Sequence, residues 1–362
     1  MTDIMYGAPA SLFSGKARAY LDWKQIDYSE QPPTPAVMME LIIPNVGYPV
    51  IPVIQKADGT ILQDTTVIID HYEAQTGGPS VYPDTPKQKL AALLFELFGD
   101  EWLVIPAMHY RWNFNEEWIY TEFGRHSLPD GTPEEHYAQG KQIGQQFKGF
   151  VPMLGINEQT IPAIEKSYEA LLRDLDAHFA AHDYLFGTRP SMGDFGLIGP
   201  LYAHLYRDPE SGKLMKRLAP HVARWVERMM DPPNPLGGDF LPDDAIPETL
   251  LPLLQRLLGE HIPHLQAVAH LYADWANDNP GADVPRSVGM APYEIEGIAG
   301  ARMASTFSLW MLQRPLDYYR SLSGDDQAEA DALLAQIGGE SFAAFDLPKR
   351  LEFEDHRLSQ AN

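Results

Sequence analysis

Ser11 and Ser14 carry the first chemistry legible in this chain. They stand in "ASLFSGKAR", directly after the apolar run "IMYGAP". S-x-x-S before a helical pattern is the spacing at which other chains hold a C-x-x-C dithiol. This chain has no cysteine, which excludes disulfides, thiolate metal sites and a protein thiol as nucleophile. Without a thiol of its own, such a corner is left with two hydroxyls at a helix start.

Three further stretches hold reactive side chains. "QDTT" lies directly before a helical pattern, so Asp64 and Thr65 are either a plain N-cap or part of an anion site at the helix end. "MHYRWNF" offers His109, Tyr110, Arg111 and Trp112, of which one or two can share a helix face. The packing alternative puts Trp112 in the core and pairs Arg111 with Glu96 or Glu116. "GEHIPHLQAVAH" holds His261, His264 and His270, but Pro263 disrupts the helical register and no acidic or thiol ligand completes a set. No metal is expected there.

The elements that position these residues fall into two patterns. From Asp3 to about Glu73 strand and helix alternate. "DIMYGAP" predicts a short strand and turn, and "SGKARAYLDWKQ" a helix beginning near Gly15. "PVIPVIQKADGTILQD" predicts a hairpin turning at Asp58-Gly59, and "TTVIIDHYEAQ" a helix ending before Gly77-Gly78. That is an α/β unit of thioredoxin-like size. "TGGPSVYPDTPKQ" reads as a linker. Nearly everything beyond it has helical period, including one long stretch interrupted at Pro106, and the pattern breaks again in "DPPNPLGGDFLPDD". After about Ala245 helices are predicted in "IPETLLPLLQRLLGEH", "LQAVAHLYADWAND", "STFSLWMLQRPLDYYRSL" and "DDQAEADALLAQI", with a hairpin around Gly297 to Gly300.

Composition bounds the function. The 362 residues are enough for two or three domains. A net charge of -23 argues against a nucleic-acid partner, which needs a basic stripe. No apolar run approaches the ~18 residues of a membrane span and no charged segment leads into an apolar start. A cytoplasmic protein with no membrane partner is expected.

Taken together and in order, "YGAPASLFSGKAR", "VIPVI", "DGTILQDTTVIIDHYE" and "YLFGTRPSMGDFGL" resemble a glutathione S-transferase, from Met1 to about Met230. The resemblance implies a thioredoxin-like glutathione-binding domain at 1–82 and an all-helical domain at 88–235. The mostly helical extension at 236–362 has no counterpart in it. The fold class is then α/β plus all-α.

The resemblance also implies roles. Ser11 matches the position that addresses the glutathione sulfur; Ser14 is the runner-up donor, and its other role is capping the helix near Gly15. The thiol is then brought by the substrate. Lowering its pKa by ~2 units from ~8.5 takes ~2.7 kcal/mol of differential stabilisation, which a hydroxyl donor and the positive end of a helix help to supply. Ile51 and Pro52, the latter as a cis-proline, match the pair that meets the cysteinyl backbone of glutathione. Asp64 and Thr65 match the Glu-Ser pair that holds the γ-glutamyl amine and carboxylate. "TPAVMMELIIPNVGYP" has no Lys, Arg or His for the glycyl carboxylate, so that end is expected to be held loosely. Ser191-x-x-Asp194 resembles the family's helix-capping box, a structural feature. Tyr110 and Arg111 are the candidates for a second-substrate pocket. The implied activity uses glutathione as co-substrate, without a metal, against a small hydrophobic electrophile, in a homodimer. Without Cys the thioltransferase branch is disfavoured. The alternative is a non-catalytic binding or scaffold protein that kept the fold.

Overall fold

The computed structural model describes residues 2–361. Contacts divide the chain into two units. One runs through Val81 and takes in Ala107–Val151 and Leu197–Gly238; the other holds Tyr82–Pro106, Pro152–Gly196 and the described residues from Asp239 onward.

The first unit opens with β1 (Asp3–Tyr6), α1 (Leu12–Trp23) and β2 (Tyr28–Gln31). Residues 35–46 follow as α2 (Pro35–Val37), a π-wound turn at Met38–Ile42 and α3 (Ile43–Val46), then β3 (Val53–Gln55), β4 (Ile61–Gln63) and α4 (Thr65–Gln75). The sheet order is β2-β1-β3-β4, with β1 parallel to β2 and antiparallel to β3. A parallel pair needs a crossover, and α1 supplies it. Tyr6 and Val53 pair across β1 and β3 and pack with Ile42 and Val46. Because side chains alternate along a strand, the next pair, Met5 and Ile54, is buried on the other face. This is the thioredoxin-like unit the sequence predicts. The β3–β4 turn falls at Asp58-Gly59, where Gly59 has φ of 92° and the Thr60 N–H donates to the Asp58 carboxylate at 2.9 Å.

The remaining helices are α5 (Pro86–Glu101), α6 (Val104–Phe114), α7 (Glu116–Ser127), α8 (Pro133–Gly149), α9 (Ile161–Phe179), α10 (Met192–Ala203), α11 (Pro209–Leu218) and α12 (Pro220–Met230). Beyond them come α13 (Leu251–Asp278), β5 (Ser287–Ile295), β6 (Ile298–Ser305), α14 (Thr306–Ser321), α15 (Gly324–Ile337), α16 (Glu340–Ala343), β7 (Leu351–Glu354) and β8 (Arg357–Gln360). In the first unit α7 and α8 pack so closely that a Cβ on Gly140 would fall 1.6 Å from the Tyr120 carbonyl oxygen, and one on Gly124 1.8 Å from that of His136.

In the second unit the C-terminal region is tied to the helices rather than trailing. The Asp244 carboxylate accepts from the Lys87 and Gln88 N–H groups at 2.7 and 2.9 Å, capping α5. Gln88 returns its amide to the Leu241 and Ala245 carbonyls. The β5–β6 hairpin lays the Tyr293 ring over Gly300, and the Tyr293 hydroxyl donates to the Gly155 carbonyl at 2.7 Å.

Several boundaries differ from the sequence reading, each for a physical reason. The helix of the first unit starts at Leu12, not near Gly15, with Ser11 as its N-cap. The break in the long helical stretch falls at Trp102-Leu103, and Pro106 sits in the first turn of α6, where a missing N–H costs no helical bond. Pro263 does not separate two helices: α13 runs through it for 28 residues. The carbonyl that a proline ring crowds belongs to residue i−4, here Gly259, and both residues face solvent, so that carbonyl can tilt outward to water. The β5–β6 turn is Glu296-Gly297, both at positive φ, and Gly300 lies within β6.

Candidate functional site

The elements of the first unit bring Ser11, the Ile51–Pro52 bond and the start of α4 into one unit. Ser11 has extended backbone, φ −88° and ψ 125°, and its hydroxyl oxygen accepts from the Ser14 N–H at 3.2 Å. Its carbonyl takes the Gly15 N–H at 3.0 Å. The Ser11 side chain is half-buried, whereas Ser14 is fully buried and turns its hydroxyl to the Ala8 N–H at 3.3 Å. The cap assignment is therefore corrected: Ser11 caps α1 and Ser14 braces the turn before it. Capping uses Ser11 as an acceptor. Its own O–H proton donates to no acceptor among the described residues, so the hydroxyl keeps a donor for a ligand.

Pro52 is buried and Ile51 half-buried, and the bond between them is cis, as the sequence reading expects. Asp64 sits at φ of 75°, the N-cap of α4, and its carboxylate accepts from the Thr66 and Val67 N–H groups at 2.9 and 3.2 Å. It thereby takes the second and third amides of the helix and leaves the first, on Thr65. The Thr65 side chain lies at that first position, almost wholly buried. Helices α1 and α4 are held side by side by Lys16, fully buried, whose ammonium donates to the Thr66 hydroxyl at 3.2 Å. The Tyr20 hydroxyl donates to Glu73 at 2.9 Å across the same pair, and burial beside that carboxylate pushes the phenol well above its ordinary range.

Arg111 and Tyr110 lie on α6, both almost fully buried. The sequence reading puts Arg111 at a co-substrate pocket, or pairs it with Glu96 or Glu116. Its guanidinium instead forks onto Asp208 at 2.7 and 2.9 Å and donates to the Ala10 and Ala203 carbonyls at 2.7 and 2.6 Å. Glu96 pairs with Arg314 and Glu116 with Lys148. Burial pushes the Asp208 carboxyl up, and the Arg111 charge opposes it. Burial, with Arg111 and Arg207 nearby, holds His204 well below its usual range, so that imidazole stays neutral. Tyr110 stacks on Phe114 at 5.5 Å between ring centres. Trp112 is buried in the core.

Ser191 and Asp194 meet at the start of α10, in a variant of the expected box. The Asp194 carboxylate accepts the Ser191 N–H and O–H, both at 2.8 Å, and the Leu185 N–H at 3.0 Å. The serine hydroxyl gives here rather than takes. Of the three histidines in "GEHIPHLQAVAH", His261 and His264 are buried and neutral, His264 pushed down to about 3 by burial and the Arg302 charge. His270 is exposed beside Gln266. Among the described residues no group of three or more His, Asp or Glu side chains is placed to hold a metal ion, and no helix is long and apolar enough to cross a membrane. A cleft of about 450 Å³ in the first unit lies at the far end of α1, lined by Asp22, Asp27 and Asp231. It is remote from the Ser11 corner along the helix.

Two family models match this sequence, the glutathione S-transferase N-terminal domain over residues 5–80 and the C-terminal domain over residues 158–228. The chain belongs to the glutathione S-transferase superfamily. Similar solved structures include a glutathione S-transferase from Rhodospirillum rubrum F11, 14% identical, covering 68% of this chain and 97% of its own, with a TM-score of 0.43. The beta-etherase LigF from Sphingobium sp. strain SYK-6 is 19% identical over 65% of this chain and 97% of its own, at a TM-score of 0.47. A glutathione transferase family member from Pseudomonas fluorescens Pf-5, solved with bound glutathione, is 17% identical over 65% and 97%, at 0.37. No curated protein matches the sequence.

Proposed function

We propose that this chain binds glutathione through Ser11, Ile51, Pro52, Asp64 and Thr65 and activates its thiol for attack on a small hydrophobic electrophile. Residues 1–82 form the glutathione-binding domain in this reading, 88–235 the helical domain and 236–362 an extension to it. The observation that carries the reading is the state of Ser11. Its hydroxyl oxygen is anchored by the Ser14 N–H and its proton is left for a sulfur, at a helix start whose first amides, on Leu12 and Phe13, also favour negative charge. A hydrogen bond to a charged group contributes ~1.5–3 kcal/mol, about what moving a thiol pKa by 1 to 2 units requires. With no cysteine in the chain, the ligand must bring the thiol.

At the other end of the ligand, Thr65 presents the first amide and hydroxyl of α4 to the γ-glutamyl carboxylate, and Asp64 faces its amine. Tyr110 contributes to the pocket for the electrophile. The family resemblance further implies a homodimer working in the cytoplasm. Calorimetric titration with glutathione at neutral pH, followed by ultraviolet absorbance of the bound thiolate, tests the reading. Saturable binding with a thiolate band is expected; heat-silent titration with no band at millimolar glutathione overturns it.

A further inference from the structure

We propose that Arg111 is the positioning residue of the Ser11 corner: held by Asp208, its guanidinium clamps the peptide plane from which the Ser11 hydroxyl is presented. The inference rests on the glutathione reading above. It starts from where the four hydrogen bonds of Arg111 go. They join α6 to three other segments: the residue before Ser11, the end of α10 at Ala203, and Asp208 at the head of α11.

Asp208 occupies the N-cap position of α11 yet makes no capping bond with its side chain. The carboxylate goes to Arg111 instead, so a good helix cap is forgone for the ion pair. A buried ion pair is a poor stabiliser, because desolvation of both charges offsets their attraction, and apolar residues of similar volume often serve as well. What apolar packing does not supply is a grip on a carbonyl at a fixed angle. The Arg fork supplies that grip.

The carbonyl it grips is the one that matters for Ser11. The Ala10 carbonyl and the Ser11 N–H are opposite ends of one planar peptide. The first takes Arg111 Nη1 at 2.7 Å and the second donates to the Ala8 carbonyl at 3.0 Å. The plane is clamped at both ends, which fixes the Ser11 Cα and the direction of its side chain. Misplacing a reacting group by ~1 Å costs on the order of 100-fold in rate.

The test compares Arg111→Lys and Asp208→Asn with the unmutated protein. Lysine keeps the charge but loses the fork; asparagine keeps the shape and breaks one arm of it. Leu257→Ala, a fully buried change in the other unit, serves as a control for plain loss of stability. Four quantities are read: the melting temperature, the pKa of the bound glutathione thiol from its thiolate absorbance, and kcat and KM with an activated aryl halide. Arg111→Lys is expected to raise the bound thiol pKa by about 0.5 to 1 unit and to lower kcat about 10-fold, in line with the cost of misplacement, while KM for glutathione stays within about threefold. Asp208→Asn should move the same quantities less, and Leu257→Ala should lower the melting temperature alone. If both site variants melt early but keep the wild-type thiol pKa and kcat, the role is structural and the proposal is overturned. If the unmutated chain itself forms no glutathione thiolate, the functional reading fails, and the positioning role with it.

Discussion

Ser11 and Ser14 are joined by one hydrogen bond, from the Ser14 backbone N–H to the Ser11 hydroxyl at 3.2 Å. The bond makes Ser11 the cap of α1 and uses its hydroxyl only as an acceptor. Ser14, the more obvious cap by spacing, is buried and holds the Ala8 N–H. The cap uses a lone pair of the hydroxyl, and the role proposed for Ser11 toward a sulfur uses its proton, so substitution can separate the two.

Ser11→Ala removes both parts and should cost about 1 kcal/mol of stability together with the thiolate. Ser11→Asp keeps a capping acceptor but, when ionised, has no proton to give and repels a thiolate. It should therefore melt within a few degrees of the unmutated protein and show no thiolate band with glutathione. Ser14→Ala strands the buried Ala8 N–H, a loss of about 1–3 kcal/mol, with the thiol pKa unchanged. Thermal melts and thiolate absorbance against pH read all three. A band that survives in Ser11→Asp removes the hydroxyl from the mechanism.

Acid sensitivity should come from buried neutral histidines. His178 is fully buried, its Nδ1 against the Thr249 hydroxyl at 2.8 Å and Nε2 against the Tyr184 carbonyl at 3.2 Å. A carbonyl only accepts, so Nε2 carries the proton and Nδ1 takes the Thr249 hydrogen. Burial pushes its pKa down from 6.5 to about 4. The unfolded chain thus binds the proton first as pH falls, so stability holds above the unfolded pKa of 6.5 and drains away between 6.5 and about 4. In that window His178 contributes a slope of up to about 1.4 kcal/mol per pH unit. Urea unfolding of His178→Gln at pH 7.5 and at pH 5 should show a shallower loss than the unmutated chain; an identical loss means the site titrates normally.

What the sequence could and could not show follows from the range of each interaction. The first unit is legible because its cues are local: alternation in "PVIPVI", a positive-φ glycine at Asp58-Gly59, a capping Asp before α4. The choice between Ser11 and Ser14 as cap is not local, because both fit the pattern three residues apart. It is settled by packing, where Leu12 is buried against Gly199. The Arg111–Asp208 pair spans 97 residues, and no spacing rule connects them. The β7–β8 hairpin is not legible in the sequence because its turn residues, Asp355 and His356, take positive φ with no glycine to announce it. Pro263 misleads in the opposite direction, since the carbonyl of Gly259 can tilt to water only because both residues lie on the wet face of α13, which the local sequence does not show.

Glycines in helices of this chain should divide cleanly by surroundings. A Cβ at Gly140 would meet the Tyr120 carbonyl oxygen at 1.6 Å, and backbone cannot step aside. Gly140→Ala should pry α8 from α7 and destabilise by ~1–3 kcal/mol or more, as overpacking does. Gly259, exposed in α13, has nothing within 4 Å of a built Cβ. Gly259→Ala should stabilise by about 0.5–1 kcal/mol through helix propensity alone. Paired chemical denaturation curves decide it, and equal effects of one sign would contradict the close α7–α8 approach.

Asp64 allows a test of the ligand end that does not pass through the thiol. Its φ of 75° with ψ of 134° lies outside the left-handed helical region, at a strained backbone position that glycine alone takes freely. Asp64→Gly should accordingly be more stable than Asp64→Ala by about 1 kcal/mol, although both lose the cap on Thr66 and Val67. For binding, the carboxylate is assigned to the γ-glutamyl amine, and a double cycle isolates that contact. Acetylating the amine of glutathione removes its charge; the lost ion pair should weaken calorimetric affinity for the unmutated protein by about 10-fold or more, the equivalent of ~1.4 kcal/mol. In Asp64→Gly the partner is already gone, so the same acetylation should change affinity by less than about threefold, the residue of non-additivity expected for a broken pair. Equal losses in both proteins would mean that Asp64 only caps α4 and that the amine is held elsewhere.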